Sequence, residues 1–237
     1  MSVSLLTYGL NEGENIPSFL NWAKTFLSKI TDNYEIIYID DGSTDDTIIK
    51  LNSYKKKNKI NIKIYKNKIN KGSAYSLKKG IKLCKKKFLI IQMVDRCYVL
   101  DNFLKKKEKL LNGEVDCIHG YREKKILSRS DNLYKGFVSL CNWFLISILF
   151  GFKIKDYQNT YFIRTSVIKN IRLYAYSSFV NAELILKIYK NNFNVLEVGV
   201  PFKKRNHGVS KGTKLNKIIQ SIKEILFYFI FKRKYDL

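Results

Sequence analysis

Short apolar runs alternate with segments of helical periodicity through the first half of the chain. Strands are predicted over residues 3–7, 34–39, 60–65, 88–94 and 115–119. Helices are predicted over residues 15–30, 44–57, 73–84 and 100–111. Near-continuous apolar strands separated by helices are typical of a parallel sheet that is covered on both faces. The pattern therefore predicts an α/β fold with a mostly parallel central sheet.

Polar side chains follow three of these strands. Asn11 and Glu12 come shortly after the first strand, Asp40 and Asp41 end the second, and Asp95 follows the fourth. Ligands of parallel sheets bind at the carboxyl ends of the strands. Two adjacent carboxylates near a core are costly unless they are used. The pattern thus favours a binding site at this edge of the sheet.

The segment IDDGSTDDT, residues 39–47, is typical of a nucleotide site. Asp40 or Asp41 can accept hydrogen bonds from a base N–H or from ribose hydroxyls, and Gly42 lets the backbone come close to a ligand. Thr44 and the acids after it are predicted to cap a helix instead. We therefore assign nucleotide binding only to the first two carboxylates.

Two further segments suit phosphate groups. Asp95, at the end of the strand FLIIQMV, can bind a divalent cation that bridges a nucleotide diphosphate. Residues 201–212 place Arg205, Ser210 and Lys211 around a glycine. Cations, a hydroxyl and a flexible glycine suit a loop that closes over phosphates. A basic surface loop remains the alternative.

The chain is strongly basic. Its 44 Lys+Arg and 20 Asp+Glu give a formal charge of +24. Scattered lysines indicate either a solvated surface or attraction to anionic lipid, nucleotide or nucleic acid. A nucleic-acid-binding protein is the competing class, but Asp40, Asp41 and Asp95 would repel a phosphate backbone. We therefore expect no nucleic acid partner.

The four cysteines show no CxxC spacing, and the chain has only two histidines. These features exclude a zinc cluster of the usual kind. Isolated cysteines of this kind are usually reduced, which predicts a cytosolic environment. The first residues lack a charged region and a small-residue cleavage site, so we expect no signal peptide.

Two segments, the membrane-leaning segments, have the composition of helices that associate with a membrane. Seventeen uncharged residues lie between Lys135 and Lys153, about the lower limit for a span. Their polar residues favour a helix over 136–152 that is buried or lies against a bilayer. Residues 218–231 are predicted as an amphipathic helix with a basic end at 232–234, suited to an anionic membrane surface or to docking on its own domain.

In their order and spacing, these motifs resemble the family-2 glycosyltransferases of GT-A fold. The branch concerned includes dolichyl-phosphate mannose synthase and the bacterial polyprenyl-phosphate glycosyltransferases. The matching segments are LNEGENIP at 10–17, IDDGS at 39–43, Asn70-Lys71-Gly72, Arg122 in HGYR, Arg129, Asp156 in KDYQNTYFIR, Glu183, Glu197 and RNHGVSK at 205–211.

The resemblance implies a Rossmann-like GT-A domain over residues 1–212 and a C-terminal amphipathic helix over 213–237. It implies an inverting glycosyltransferase that uses a nucleotide-diphosphate sugar and a divalent cation, Mg²⁺ or Mn²⁺, with a place on the cytoplasmic face of the membrane. The residues that it assigns to the donor are Asn11, Glu12, Asp40, Asp41, Arg205, Ser210 and Lys211, with Asp95 on the metal.

The acceptor decides whether the enzyme needs a base. A polyprenyl phosphate is already a nucleophile, and Arg122 and Arg129 would position it. A sugar hydroxyl in a cell-surface polysaccharide would need a carboxylate base, Asp156 or Glu183. The membrane-leaning segments favour the lipid phosphate.

The chain also departs from the family pattern. Met93 stands where the metal motif Asp-x-Asp has its first carboxylate, so only Asp95 remains, and Thr160 replaces a glycine. The weakened metal site implies either looser metal dependence, with Arg96 or Lys211 supplying charge, or a non-catalytic member of the family that stays at the membrane.

Overall fold

The computed structural model describes residues 1–123, 133–157, 160–203, 207 and 215–231. Within them, seven strands form one sheet in the order β3-β2-β1-β4-β6-β5-β7. The strands are β1 (Val3–Gly9), β2 (Tyr34–Asp40), β3 (Ile62–Lys66), β4 (Phe88–Ile91), β5 (Cys117–Arg122), β6 (Tyr161–Arg164) and β7 (Val195–Val200). The helices are α1 (Ile16–Ser28), α2 (Thr47–Asn58), α3 (Ser73–Leu83), α4 (Asp101–Leu111), α5 (Leu133–Phe150), α6 (Thr165–Asn170), α7 (Val180–Lys190) and α8 (Leu215–Ile230).

The sheet is mostly parallel, which confirms the predicted fold class. β1 pairs in parallel with β2 and β4, β2 with β3, and β5 with β7. Only β6 is reversed, and it runs antiparallel to β4 and β5. Apolar side chains cover both faces. One core lies against α1, α2 and α4, and the other lies against α3 and α5 to α8.

Several predicted boundaries were wrong, and those of β4, β5 and α2 are the most informative. β4 ends at Ile91 instead of residue 94, because the chain then turns and the Gln92 side chain donates to the Tyr98 carbonyl at 2.7 Å. β5 covers 117–122 instead of 115–119. Thr44 does not cap α2, which begins at Thr47, since the Thr44 N–H donates to Asn11 Oδ1 at 2.9 Å.

Both membrane-leaning segments form helices, α5 and α8. One face of α8 is buried on the domain, where the Glu224 carboxylate accepts hydrogen bonds from the backbone N–H groups of Tyr176 (2.8 Å) and Ser177 (3.0 Å). Docking of this helix on its own domain therefore occurs. Among the described residues, no helix combines the length and apolar character needed to cross a bilayer. The predicted boundary at 212/213 lies outside the described residues and stays a prediction.

Candidate functional site

Two turns at the edge of the sheet are joined by hydrogen bonds. The turn after β1 donates the Asn11 N–H to Ser43 Oγ (2.8 Å) and the Glu12 N–H to Thr47 Oγ1 (3.0 Å). The Asn11 side chain is engaged in return by the Thr44 N–H. Asn11, at φ +56°, therefore holds the two turns together. The consequence is a fixed separation between the ends of β1 and β2.

Asp40 carries a buried acceptor atom that has no hydrogen-bond partner among the residues that the structure describes. It ends β2, lies opposite Gly9 of β1 and is fully buried. Its Oδ2 accepts the Ser43 N–H at 3.1 Å, whereas Oδ1 has no hydrogen-bond partner among the described residues. Buried polar groups are nearly always paired, so an orphaned carboxylate oxygen needs an explanation. A ligand N–H or hydroxyl at this position supplies one.

More unpaired polar atoms lie near Asp40. Within the described part of the chain, Thr7 Oγ1, the Tyr38 hydroxyl and Gln92 Oε1 are also buried without a hydrogen-bond partner. Thr7 lies opposite Tyr38 in the β1–β2 register, and the Gln92 N–H donates to the β1 carbonyl of Leu6. These atoms therefore line the carboxyl ends of three adjacent strands, where a polar ligand would find partners.

Negative charge is concentrated at the same edge. Burial, followed by the charges of Glu12, Asp40 and Asp45, raises the pKa of Tyr38 well above its usual value. Burial and the charge of Asp95 likewise raise the pKa of Tyr8. Both phenols therefore stay protonated at neutral pH. The field favours a ligand that presents N–H and O–H donors or a metal cation.

Asp41 has a different task from Asp40. Its carboxylate accepts hydrogen bonds from the backbone N–H groups of Lys71 (3.0 Å) and Gly72 (2.8 Å) and from Asn67 Nδ2 (2.9 Å). Both of its oxygens are used within the protein. Asp41 therefore stabilises the Asn-Lys-Gly turn before α3. In this structure its role is to support the loop next to Asp40.

Asp95 lies in the loop after β4 and is partly exposed. Its Oδ1 accepts the Cys97 N–H at 3.3 Å. Three or more potential metal ligands nowhere come together among the described residues. Mg²⁺ and Mn²⁺ bound to nucleotides commonly use one or two carboxylates, with phosphate oxygens and water as the other ligands. The single carboxylate of Asp95 fits that chemistry and does not fit an all-protein metal cage.

Arg122 and Asp156 form a buried pair at the end of β5. Arg122 Nε donates to Asp156 Oδ2 at 2.6 Å, and Nη2 donates to Oδ1 at 3.0 Å. Nη2 also donates to Ser139 Oγ of α5 at 3.1 Å. A bidentate pair of this kind is strong and directional. The predicted phosphate ligand and one predicted base are thus each other's partners, and they connect β5 to the apolar helix.

Glu183, the other candidate base, belongs to the core. It is fully buried in α7, and its carboxylate accepts the N–H groups of Tyr174 and Ala175 at 2.8 to 3.0 Å. Lys187 Nζ lies 3.0 Å from Glu183 Oε1. A carboxylate enclosed in this way cannot reach an acceptor hydroxyl. In this structure Glu183 anchors the 174–175 loop, and its role as a base stays a prediction.

Four predicted site residues lie outside the described residues, namely Arg129, Arg205, Ser210 and Lys211. One neighbour of the last three is described. His207 Nδ1 lies 3.4 Å from Glu14 Oε2, at the turn between β1 and α1. This contact places His207 itself next to the turn that follows β1.

Some features of the site escaped sequence reasoning. Thr7, Tyr38 and Gln92 sit inside apolar strands, where the pattern predicts core packing, and no spacing marks them as polar lining. Thr160 also received no role. Its hydroxyl donates to the Ile91 carbonyl and so secures the end of β4. Only the polar character of these residues within apolar runs could have drawn attention to them.

Comparison with known proteins places this geometry in context. Residues 8–172 match the family model described as glycosyl transferase family 2. The chain is 23% identical, over 239 residues, to dodecaprenyl-phosphate galacturonate synthase of Rhizobium johnstonii, covering 99% of this chain and 69% of that protein. It is 27% identical, over 179 residues, to dolichyl-phosphate beta-glucosyltransferase of Dictyostelium discoideum, covering 72% of this chain and 50% of that protein.

The fold has solved counterparts. The structure superposes on glucosyl-3-phosphoglycerate synthase of Mycobacterium tuberculosis, crystallised with Mn²⁺, UDP and glucosyl-3-phosphoglycerate, with a TM-score of 0.69 at 16% identity. The match covers 96% of this chain and 79% of that one, and it confirms the GT-A fold. The family model covers most of the chain and includes Asp40, Asp95 and Asp156. The chain therefore belongs to glycosyl transferase family 2.

Proposed function

We propose that this chain is an inverting glycosyltransferase that moves a sugar from a nucleotide-diphosphate sugar to a polyprenyl phosphate. The observation that supports binding of the nucleotide-sugar donor is the buried Oδ1 of Asp40, which has no hydrogen-bond partner among the described residues. It lies beside the acidic ends of β1 and β4. A base N–H or a ribose hydroxyl supplies the missing hydrogen bond. Glu12, whose carboxylate also accepts from Asn15 Nδ2 at 2.7 Å, lies in the adjoining turn.

The diphosphate belongs at Asp95. A divalent cation held there, Mg²⁺ or Mn²⁺, would neutralise the charge that develops on the departing nucleoside diphosphate. Asp95 would hold the cation, while Asn11 and Asp41 keep the surrounding turns in place. Arg205, Ser210 and Lys211 are the residues proposed to close over the phosphates. The Mn²⁺ and UDP bound to the mycobacterial enzyme support this assignment.

A phosphate acceptor suits the state of the two candidate bases. Asp156 is nine-tenths buried and held by Arg122 in two hydrogen bonds, and Glu183 is enclosed in the core. A hydroxyl acceptor needs a carboxylate to remove its proton, whereas a phosphate is already anionic. The names of both curated relatives, which contain dodecaprenyl phosphate and dolichyl phosphate, support the same acceptor class. Arg129 is the proposed ligand of that phosphate, with Arg122 beside it.

The lipid acceptor requires a membrane surface, and α5 and α8 offer one. The two helices pack together, with the rings of Phe150 and Phe229 at 6.1 Å. Exposed apolar residues of these helices are Tyr134, Phe137, Phe144, Ile148, Leu215, Ile219, Ile222, Leu226, Phe227 and Ile230. Exposed apolar residues that cluster into a large patch mark interaction sites on soluble proteins. The chain's +24 charge favours anionic lipid, while the basic end at 232–234 lies outside the described residues.

We further propose the cytoplasmic face of the membrane as the location. No disulfide joins any of the four cysteines, and three of them are buried. Unpaired cysteines are usual where the compartment is reducing. Peripheral attachment through the outer faces of α5 and α8 is sufficient for a protein that meets its lipid at the bilayer surface.

Acidic substitutions on α8 should weaken membrane binding. We expect Ile222→Asp with Leu226→Asp to lower binding to phosphatidylglycerol-containing vesicles by at least ~10-fold, because burying each side chain is worth about 1.5 to 3 kcal/mol. Vesicle co-sedimentation measures the change. Ile49→Asp, at an exposed apolar residue on α2 away from the proposed membrane surface, is the control (68% exposed, against 39% for Ile222 and 42% for Leu226). Equal binding of the double variant and the control variant would exclude α8 as the membrane surface.

The transfer reaction is tested by following the label. Purified protein is incubated with radiolabelled UDP- and GDP-sugars, polyprenyl phosphate in vesicles, a soluble glycan acceptor, and Mn²⁺ or Mg²⁺. The proposal predicts label in the organic phase as an acid-labile sugar phosphate. Label that appears only on a soluble glycan would replace the proposed acceptor with a hydroxyl. No label in either phase, with every donor tried, would contradict the proposed transfer.

A further inference from the structure

The loop after β4 fixes Arg96 in an unusual backbone conformation. Arg96 has φ +48°, which non-glycine residues seldom adopt. The Arg96 N–H donates to the Met93 carbonyl at 3.1 Å, and the Lys203 N–H donates to the Cys97 carbonyl at 2.7 Å. Gln92 closes the other side of the loop through Tyr98. The surrounding hydrogen bonds thus fix the backbone of the loop at Arg96.

Arg96 is only partly exposed, and its buried Nε has no hydrogen-bond partner among the described residues. No salt bridge in the described part of the chain includes Arg96, although Asp95 is its neighbour in sequence. Leaving a charged donor buried and unpaired is costly. Two other arginines of the structure are paired with carboxylates, Arg122 with Asp156 and Arg164 with Asp116.

The position of Arg96 next to Asp95 suggests a ligand that would pair with its buried Nε. Met93 carries no charge two residues before Asp95, so this loop offers a divalent cation one carboxylate. A single carboxylate holds a cation weakly unless phosphate oxygens assist. The loop instead adds a fixed positive charge directly after Asp95. A guanidinium presents several N–H donors in a planar fork that matches phosphate oxygens.

We propose that the guanidinium of Arg96 binds the diphosphate of the donor directly. Its positive charge would compensate for the weaker cation binding that results from the absence of a second carboxylate at Met93. This inference rests on the proposed donor site. It predicts that nucleoside diphosphate binds measurably when no metal is present. It also assigns Arg96 to the phosphates and not to the base, so uridine binding should not depend on it.

Arg96→Gly is the decisive variant. Glycine accepts positive φ without strain, so the substitution removes the guanidinium and should leave the fold intact. Isothermal titration calorimetry of the full chain with UDP, GDP and the free nucleosides uridine and guanosine, each with EDTA or with Mn²⁺, gives the dissociation constants. In EDTA we expect the Kd of the preferred nucleotide to rise by ~10- to 100-fold in Arg96→Gly, with a smaller rise in Arg96→Lys. Lys105→Ala, on exposed α4, is the charge-matched control.

The outcomes separate the two levels of the proposal. Unchanged metal-free binding in Arg96→Gly would overturn the role of Arg96 while leaving the donor site standing. Equal weakening of uridine and nucleoside diphosphate binding would also overturn it, because the effect would not involve phosphate. Wild-type protein that binds neither UDP nor GDP, with or without Mn²⁺, would contradict the proposed function itself. Met93→Asp should increase the advantage that Mn²⁺ gives to binding.

Discussion

Asp95→Asn should lower kcat/KM for sugar transfer by about 100- to 1,000-fold. The substitution keeps the shape of the side chain and the acceptor for the Cys97 N–H, but it removes the anionic group of the loop that we propose as the metal ligand. Charge on the departing diphosphate is the main barrier, and a metal contributes several kcal/mol to its stabilisation. Each tenfold change corresponds to about 1.4 kcal/mol, so the expected loss is about 3 to 4 kcal/mol.

Steady-state kinetics with titrated Mn²⁺ measures this effect. The apparent metal affinity should fall along with the rate, and the melting temperature should stay near that of the wild type because Asp95 is partly exposed. Asp32→Asn, an exposed carboxylate before β2, removes the same charge and should leave the rate unchanged. Unchanged kinetics in Asp95→Asn would contradict the proposal that Asp95 binds the metal. A negligible rate in both the wild type and the variant would instead indicate a non-catalytic role for the chain.

Asp40→Asn should weaken donor binding by about 10- to 100-fold without destabilising the free protein. The amide oxygen can still accept the Ser43 N–H, while the amide nitrogen takes the place of the unpaired Oδ1. In the free protein this replaces a buried, incompletely paired charge, so the melting temperature should stay equal or rise. In the complex, the ligand N–H then faces another N–H, which costs about 1.5 to 3 kcal/mol.

Asp41→Asn is the matched comparison and should show the opposite behaviour. The Asp41 carboxylate accepts three hydrogen bonds from the protein, so an amide there loses at least one of them and leaves a donor facing a donor. We expect a lower melting temperature and a smaller effect on donor affinity. Calorimetry and thermal denaturation of both variants give the two quantities. Similar behaviour of the two variants would show that Asp40 is structural.

The order of strands and helices was predictable because apolar runs and helical periodicity are local properties of a chain. β1 to β5 and the helices between them follow from those patterns. β6 escaped because four residues, Tyr161–Arg164, are too short to give a periodicity, and its antiparallel direction is set by pairing with β4 and β5. The exact end of β4 depends on the Gln92–Tyr98 hydrogen bond, which spacing does not reveal.

The site was predictable at the level of position and less so at the level of role. Asp40 and Asp41 are adjacent in sequence and carry the same group, yet one has an unpaired oxygen and the other is fully engaged. The pairing of Arg122 with Asp156 and the burial of Glu183 arise from contacts between distant segments. Sequence motifs indicate which residues gather at an edge, while tertiary packing decides which of them remain available to a ligand.

Equilibrium binding of nucleoside diphosphates to the wild-type chain tests the central claim most directly. A calorimetric panel of UDP, GDP, ADP and CDP, with and without Mn²⁺, should show one saturable site, a preference for one base and tighter binding when Mn²⁺ is present. That site should lose affinity in Asp40→Asn. Absence of saturable binding by all four nucleotides, alongside tight and salt-sensitive binding of RNA, would contradict the account and favour a nucleic-acid-binding protein.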